Sequence, residues 1–494
     1  MRRRPYQNDP EGTRLPVKLD AATNGEFAPI PLEPVHHDAR RLAIVAAGGN
    51  SRRLGLDRRS FLVSACGVAT TLLGMNTAYA RGTAGNVPRG GFYDLPAEAA
   101  LDLQLARSAL DGNEFIFDVQ GHFVNPSGAW TKRLAENVRP LQMPKTRECG
   151  PGKGPGRLDY LHCIGADEFI KDVFLDSDTD LMVLSFVPST RANEPLTIEE
   201  AAATARIVEK MQGTHRLFLH GRVNPNQAGD LEGMDELASH HKISAWKTYT
   251  QWGPDGKGFF MDDDPGLAMI EKARKLGIKN IAIHKGLPFG ARSYEHSTCI
   301  DIGRVAKRFP DVNFLVYHAG FVAEKKEGPY DAQRSDGIDS LVTSLIANGI
   351  KPGANVYAEL GSTWRFAMRD PDTAAHTLGK LFLHVGESNV LWGTDSIWYG
   401  SPQDQIQAFR AFQIAADLRD KHGYPEITPA LRAKVFGLNA LKIYPVADEV
   451  LKKHLYRDRV ALDRIAYREH ADPTFVTHGP KTRREFLNLK SRGG

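Results

Sequence analysis

The chain has 494 residues, of which 41% are hydrophobic and 25% are charged, and its formal net charge is +4. This composition is typical of a globular protein with one large domain or two to three smaller ones. The near-neutral charge argues against a nucleic-acid-binding protein, and no run of about 18 apolar residues predicts a stable membrane span. The four cysteines are too few for a disulfide scaffold, although Cys149 and Cys163 can either form a bridge or remain reduced.

The first 80 residues predict an export signal. Residues 1–50 are rich in Pro, Arg and acidic residues without periodicity, which predicts a disordered leader. Within 51–80, a twin arginine at 58–59 precedes a modestly apolar stretch and the Ala-Tyr-Ala sequence at 78–80. This order resembles a bacterial twin-arginine signal peptide, so we expect the twin-arginine machinery to export the protein to the periplasm or the medium. A buried amphipathic helix is the alternative for the same residues.

From residue 114 onwards the chain repeats a short apolar run, a polar break and an amphipathic segment. Alternation of apolar strands with amphipathic helices, such as 197–213 and 264–277, is typical of parallel βαβ units. Eight such units predict a (β/α)8 TIM barrel over residues 114–445. A doubly wound open sheet is the alternative, but no GxGxxG sequence follows the first predicted strand. The predicted strands are 115–119, 181–187, 216–223, 243–249, 281–284, 314–318, 355–360 and 390–395.

Two segments fall outside the repeated pattern. Residues 126–179 are rich in Gly and Pro, which predicts a long insertion after the first strand, over the mouth of the barrel. Residues 446–494 predict a charged helix followed by a basic end. A C-terminal extension of this kind is typical of a solvated arm that packs on its own domain or forms a homo-oligomer.

Candidate catalytic groups gather where the predicted strands end, the edge at which barrel enzymes carry their active sites. The first strand continues into Gln120 and His122, the fifth and sixth end at His284 and His318, and the eighth ends at Asp395. Histidine and carboxylate side chains from successive strand ends suit a mononuclear or binuclear metal site. The sequence therefore predicts a metal-dependent enzyme with a small-molecule substrate.

Other residues of the strands and loops have roles that the sequence leaves open. Lys247, in the fourth strand, is compatible with a clamp for a substrate carboxylate, a buried ion-pair partner or a metal-bridging carbamate. Alternation along the first strand places Asp118 on the side of Gln120 and His122, where it either binds metal or braces the first loop. Trp252 and Trp398 are expected to form walls of a planar substrate pocket.

The sequences FDVQGH, IAIH, YHAG, GTDS and FGLNALKIY, in this order, resemble the amidohydrolase superfamily. The resemblance covers about residues 115–445. It is strongest to the amidohydrolase-related branch, which contains aminocarboxymuconate-semialdehyde and resorcylate decarboxylases and related lactone hydrolases. It implies one divalent metal, usually zinc, with His122, His284 and Asp395 as ligands and His318 as the catalytic histidine. The family's first strand carries D-x-H-x-H, whereas this chain has Gln120 in place of the first ligand histidine.

An amide oxygen is a harder and weaker ligand than an imidazole nitrogen, so we expect Gln120 to weaken the metal site without abolishing it. Zinc is the first expectation, with Mn²⁺ or Mg²⁺ as alternatives. The predicted function is hydrolysis of a small cyclic or carboxylated substrate by metal-activated water. Asp395 would act as general base, His318 as acid and Lys247 as carboxylate clamp. The alternatives are non-oxidative decarboxylation and a metal-free binding protein on the same fold.

Overall fold

The computed structural model describes residues 14–81, 90–133, 159–212, 215–288, 293–448, 450–451, 458–473, 475 and 477–490. Eight parallel strands pair in chain order. Backbone hydrogen bonds from Val119 N to Trp392 O (3.0 Å) and from Asp395 N to Gln120 O (3.0 Å) join the first of these strands to the segment that follows the last, which closes the barrel. The predicted TIM barrel is confirmed. The strands are β1 Gly91–Tyr93, β2 Phe117–Gly121, β3 Leu181–Leu184, β4 Leu217–Arg222, β5 Ile243–Tyr249, β6 Asn280–His284, β7 Asn313–Tyr317, β8 Val356–Glu359, β9 Val390–Leu391 and β10 Phe412–Ile414.

Helices surround the barrel and follow most of its strands. Apolar side chains pack both inside the barrel and between the strands and the helices. The floor of the interior is aromatic, because the rings of Phe117 and Tyr444 lie 5.4 Å apart, centre to centre. Besides the N-terminal helices described below, the α-helices are Leu103–Leu110, Ala166–Ile170, Ile198–Gln212, Asp230–His240, Asp264–Lys275, Tyr294–Ser297, Ile302–Arg308, Gly337–Asn348, Thr363–Ala367, Pro371–Leu381, Gln403–Ala411, Ala416–His422, Pro429–Ala433, Arg459–Glu469 and Arg483–Lys490.

Residues 34–50 are helical although the composition predicts a disordered leader over 1–50, and two further helices lie in the predicted signal segment. The helices are α1 Pro34–Arg53, α2 Arg58–Val63 and α3 Ala65–Ala80. Alanines of α1 are buried, and a Cβ atom at Gly74 of α3 would lie 3.2 Å from the Ala43 nitrogen, so these two helices approach each other closely. Small residues give α1 little apolar periodicity in sequence, yet they allow this close packing. Most residues of α3 are buried, which covers only part of the segment 51–80 for which an amphipathic helix is the alternative, and export remains a prediction.

None of the described helices is both long and apolar enough to cross a membrane. Part of the predicted insertion, 134–158, and with it Cys149, lies outside the described residues. Cys163 is disulfide-bonded, whereas Cys66 and Cys299 are buried free thiols. The C-terminal extension packs on the barrel, since Arg216 donates two hydrogen bonds of 2.7 and 2.8 Å to the Asp458 carboxylate.

The first barrel strand pairs irregularly with the next one, and Asp118 contacts the loop after β9. The pairing of β2 with β3 shifts register between Asp118 and Gly121. The Asp118 carboxylate accepts hydrogen bonds from Thr394 N at 3.2 Å and from Thr394 Oγ1 at 2.5 Å. Burial raises the pKa of Asp118 to about 7. Asp118 therefore braces the first strand against the loop after β9, the second of the two roles that the sequence leaves open.

Candidate functional site

The loops that follow β6 to β9 have unusual backbone conformations. Among the described residues, the non-glycine residues with positive φ all lie there: Leu287 (40°), His318 (64°), Ala319 (52°), Ser362 (53°) and Asp395 (56°). Such conformations are unfavourable for L-residues and concentrate at functional sites. They therefore mark the same barrel edge at which the sequence predicts catalytic groups.

Asp395 accepts hydrogen bonds on both carboxylate oxygens. Gln120 Nε2 lies 3.1 Å and His122 Nε2 3.2 Å from Oδ1, while Ser362 Oγ lies 2.5 Å and Asn24 Nδ2 3.2 Å from Oδ2. Burial raises the pKa of Asp395, but the hydrogen bonds of His122 and Ser362 and the positive charge of nearby histidines together outweigh burial and hold this pKa well below its usual range. A carboxylate has about four acceptor positions, so four donors fill them.

His318 and His284 face each other, with ring centres 4.4 Å apart. Because the Gly361 carbonyl only accepts, the 2.5 Å contact from His318 Nδ1 to this oxygen places the imidazole proton on Nδ1. Burial lowers the pKa of His318 to about 4, and burial also holds the pKa of His284 well below its usual range. His318 is therefore neutral at pH 7, and its Nε2 offers a lone pair, which suits metal binding more than proton donation.

Three side chains could hold a metal ion together. Ligand atoms of Glu26, His284 and His318 all lie within 4.8 Å of one another. Two imidazoles and a carboxylate form a mixed nitrogen and oxygen set that suits divalent ions such as Zn²⁺ or Mn²⁺. Gln120 Oε1 is buried without a hydrogen-bond partner among the described residues, so its oxygen is one further potential metal ligand. The residues therefore fit a divalent metal.

The structure divides the predicted metal ligands into two neighbouring groups. Gln120 and His122 both donate to Asp395, whereas His284 lies in the group with His318. A 3.5 Å contact between Gln120 Nε2 and His318 Nε2 joins the two groups. The predicted residues thus meet at one place, although the side chains that donate hydrogen bonds to Asp395 do not include His284 or His318.

Lys247 lies inside the barrel with no exposed surface. Its Nζ is 3.8 Å from the centre of the Tyr317 ring and has no hydrogen-bond partner among the described residues. Burial lowers the pKa of Lys247 to about 7, against the opposing effect of the carboxylates of Glu359, Asp395 and Glu26. Among the described residues, Lys247 therefore has no partner in a buried hydrogen-bonded ion pair. Its roles as substrate clamp or carbamate remain predictions.

Glu359 positions the loops of the site. Its carboxylate accepts hydrogen bonds from the backbone nitrogens of His318 (3.1 Å) and Gly361 (2.5 Å). Burial raises the pKa of Glu359 to about 8. Its contacts link β8 to the backbone on which the catalytic candidate His318 lies.

The two tryptophans expected in a substrate pocket differ in position. Trp398 stacks on His122 with ring centres 5.7 Å apart and planes inclined by 25°, so it forms a wall of the site. Trp252 takes part in backbone contacts of the loop after β5, where its carbonyl accepts a hydrogen bond from Asn226 Nδ2 at 2.9 Å. The described contacts support a site role for Trp398 only.

Sequence reasoning missed Asn24, Glu26, Ser362 and Tyr249. Asn24 and Glu26 lie in the segment interpreted as a disordered leader, where no pattern distinguishes them. Ser362 shortly follows a barrel strand, which is the one signal that could have identified it. Tyr249 stacks on His284 with ring centres 4.5 Å apart.

The family model described as Amidohydrolase matches residues 166–446, more than half of the chain. The 5-carboxyvanillate decarboxylase LigW from Sphingomonas paucimobilis is similar at 13% identity, over 67% of this chain and 99% of that chain, with a TM-score of 0.41. The 2,6-dihydroxybenzoate decarboxylase from Rhizobium is similar at 14% identity, over 67% of this chain and 98% of that chain, with a TM-score of 0.36. LigW2 from Novosphingobium aromaticivorans, with bound manganese, is 11% identical over 67% of this chain and 96% of that chain, with a TM-score of 0.41. No curated protein matches the chain.

Proposed function

Because the chain belongs to the amidohydrolase family, we propose that it is a divalent-metal-dependent enzyme that decarboxylates a small carboxylic acid without oxidation. The reaction breaks the bond between carbon and carboxylate, releases CO₂ and adds a proton to the carbon left behind. No oxidant is consumed, because the electron pair of the broken bond forms the new C–H bond. Hydrolysis, the function expected from the sequence, is the competing outcome.

The hydrogen bonding of Asp395 carries this proposal. Hydrolysis as expected from the sequence needs this carboxylate to take a proton from water. In the structure, Gln120 and His122 donate to one of its oxygens and Ser362 and Asn24 to the other, so no acceptor position remains for water. The low pKa of Asp395 also makes it a weak base. Decarboxylation requires a group that donates a proton to carbon. It does not require a carboxylate that takes a proton from water.

The burial of the site supports the same reaction. The exposed fractions of Gln120, His122, His284, His318 and Asp395 are all between 0% and 2%. A substrate carboxylate loses its hydration in such a place, whereas the charge-dispersed transition state of CO₂ loss depends less on water. A water-excluding site also protects the carbanion-like species from uncontrolled protonation.

Within this site, Lys247 is the group suited to carry the proton. A catalytic acid is most effective when its pKa lies near the working pH, and burial brings the pKa of Lys247 to about 7. Its Nζ lies over the rings of Tyr317 and Tyr249 and has no hydrogen-bond partner among the described residues, so its proton is not held by a carboxylate. His284 and His318 would hold the metal, which would supply positive charge to bind and polarise the substrate carboxylate.

The test measures CO₂ and acid consumption together, with hydroxylated benzoates, lactones and amides as probes and with Zn²⁺ or Mn²⁺ added. We expect equimolar CO₂ and decarboxylated product from at least one benzoate, and at least a hundredfold lower turnover in Lys247→Met, within the range for loss of an acid catalyst. Exposed Lys326, on the surface, provides the control variant Lys326→Met, which should match the parent. Turnover of lactones or amides without CO₂ would overturn the proposal in favour of hydrolysis.

Export by the twin-arginine route, to the periplasm or the medium, remains part of this proposal. It rests on the order of the arginine pair, the apolar stretch and the Ala-Tyr-Ala sequence. Fractionation of cells that produce the full chain would test it, since protein found only in the cytoplasm would contradict export.

A further inference from the structure

The geometry points to Glu26 as a metal ligand that the N-terminal segment 14–30 brings to the barrel mouth. We call this segment the strap. The inference rests on the proposed function only in that a divalent metal is bound at His284 and His318. It adds a ligand from outside the barrel to a site whose other residues come from strand ends.

Glu26 is held beside the histidine pair by its own neighbours. Its Oε2 lies 3.9 Å from His284 Nε2, and its side chain is 16% exposed. Asn24 Nδ2 donates to Glu26 Oε2 at 2.6 Å and to Asp395 at 3.2 Å, while the Glu26 nitrogen donates to Asn24 Oδ1 at 3.0 Å. Gly25, between them, has φ of 91°, a conformation that glycine adopts readily. The turn therefore aims the carboxylate into the site.

The strap is fastened to the barrel by buried polar contacts. Lys18 Nζ donates to Asp404 Oδ1 at 2.9 Å and to Ser401 O at 2.7 Å, with the Lys18 side chain 3% exposed. Asp20 pairs with Arg365 at 2.9 Å. Contacts of this kind fix a segment in one place, because a buried charge that loses its partner is costly. The strap is thus part of the folded barrel.

Charge balance explains why the site needs Glu26. An imidazole that binds a metal ion contributes no negative charge, and four side chains already donate to the Asp395 carboxylate. A divalent cation in a buried site is stabilised by anionic ligands. Gln120, at the position where the family resemblance places a histidine ligand, contributes no charge. In the part of the chain that the structure describes, Glu26 is the carboxylate that lies within 4.8 Å of ligand atoms of both His284 and His318.

The experiment measures Mn²⁺ affinity of the metal-free full chain by electron paramagnetic resonance and calorimetry. Changes beside a metal typically cost 10–100-fold in affinity, so loss of a ligand in Glu26→Gln should weaken Mn²⁺ binding by at least about a hundredfold. Glu33→Gln removes the same charge from an exposed residue of the same region and should leave Mn²⁺ affinity unchanged. Glu26→Asp keeps the charge and should retain part of the affinity. Circular dichroism should show equal folding in all variants.

The outcomes separate this inference from the proposed function. Unchanged Mn²⁺ affinity in Glu26→Gln would overturn the ligand role, even if the parent releases CO₂. Weakened Mn²⁺ binding in this variant supports the inference, even if no probe acid is decarboxylated. A parent protein that binds neither Mn²⁺ nor Zn²⁺ would overturn both.

Discussion

The buried ammonium of Lys247 should make the fold less stable than it would be with an apolar side chain. The pKa of Lys247 falls from 10.5 to about 7 because burial disfavours the charged form. Between these two pH values the unfolded chain binds the proton and the folded chain releases it, so stability rises with pH. Below about pH 7 the whole cost is present, and above about pH 10.5 it is absent. Lys247→Met should therefore stabilise the protein at low pH.

The size of the effect follows from the same values. Burying the charge costs about 1.4 kcal/mol of stability for each pH unit of the pKa shift. At pH 6 the whole shift from 10.5 to about 7 counts, so the cost is about 5 kcal/mol. At pH 9 only the part between 10.5 and the pH counts, so the cost is about 2 kcal/mol. The substitution also removes the contact of Nζ with the Tyr317 ring, worth about 2 kcal/mol for a desolvated pair. At pH 9 the folded-state amine is uncharged and has no cation–π contact to lose. We therefore expect Lys247→Met to be about 3 kcal/mol more stable than the parent at pH 6 and about 2 kcal/mol more stable at pH 9.

Urea unfolding of metal-free parent and variant at pH 6, 7.5 and 9 measures these differences. Lys380→Met is the matched control, since Lys380 is equally buried but donates to Glu327 at 2.5 Å and to Asp339 at 2.6 Å. Breaking such a pair costs about 3–5 kcal/mol, so the control should lose stability where Lys247→Met gains it. A Lys247→Met variant that is destabilised to the same extent at every pH would refute the reasoning and make Lys247 a structural residue.

Three further predictions concern the metal, the strap and export. Gln120→His adds an imidazole beside the His318 ring and should raise zinc affinity by at least about tenfold, as measured by competition with a chelating dye. Lys18→Met leaves the Asp404 carboxylate buried without its cation, at a cost of about 3–5 kcal/mol. Proteolysis within the strap should therefore accelerate, and an unchanged cleavage rate would contradict the role of this contact. Changing Arg58 and Arg59 to lysine should keep the protein in the cytoplasm, because the receptor distinguishes guanidinium from ammonium, and normal export of this variant would reject the signal.

The sequence by itself determined the barrel and the edge that carries the site. Each strand is recognisable from a short apolar run, and each helix from its own periodicity, so these elements depend on neighbours in sequence. Parallel strands place their carboxyl ends at one edge, which is why His122, His284, His318 and Asp395 could be expected to meet. The structure brings them there, with β2 to β9 in chain order.

Only the tertiary structure decided which of those residues contact one another and which further residues belong to the site. Asp118 accepts hydrogen bonds from Thr394, a residue distant in sequence, and alternation along one strand cannot show such a contact. The low exposure of Lys247 depends on seven other strands, so its pKa has no signature in sequence. Glu26 reaches His284 because buried contacts distant in sequence hold the strap in place. Local sequence specifies the elements, whereas burial and charge pairing between remote segments decide the chemistry of the site.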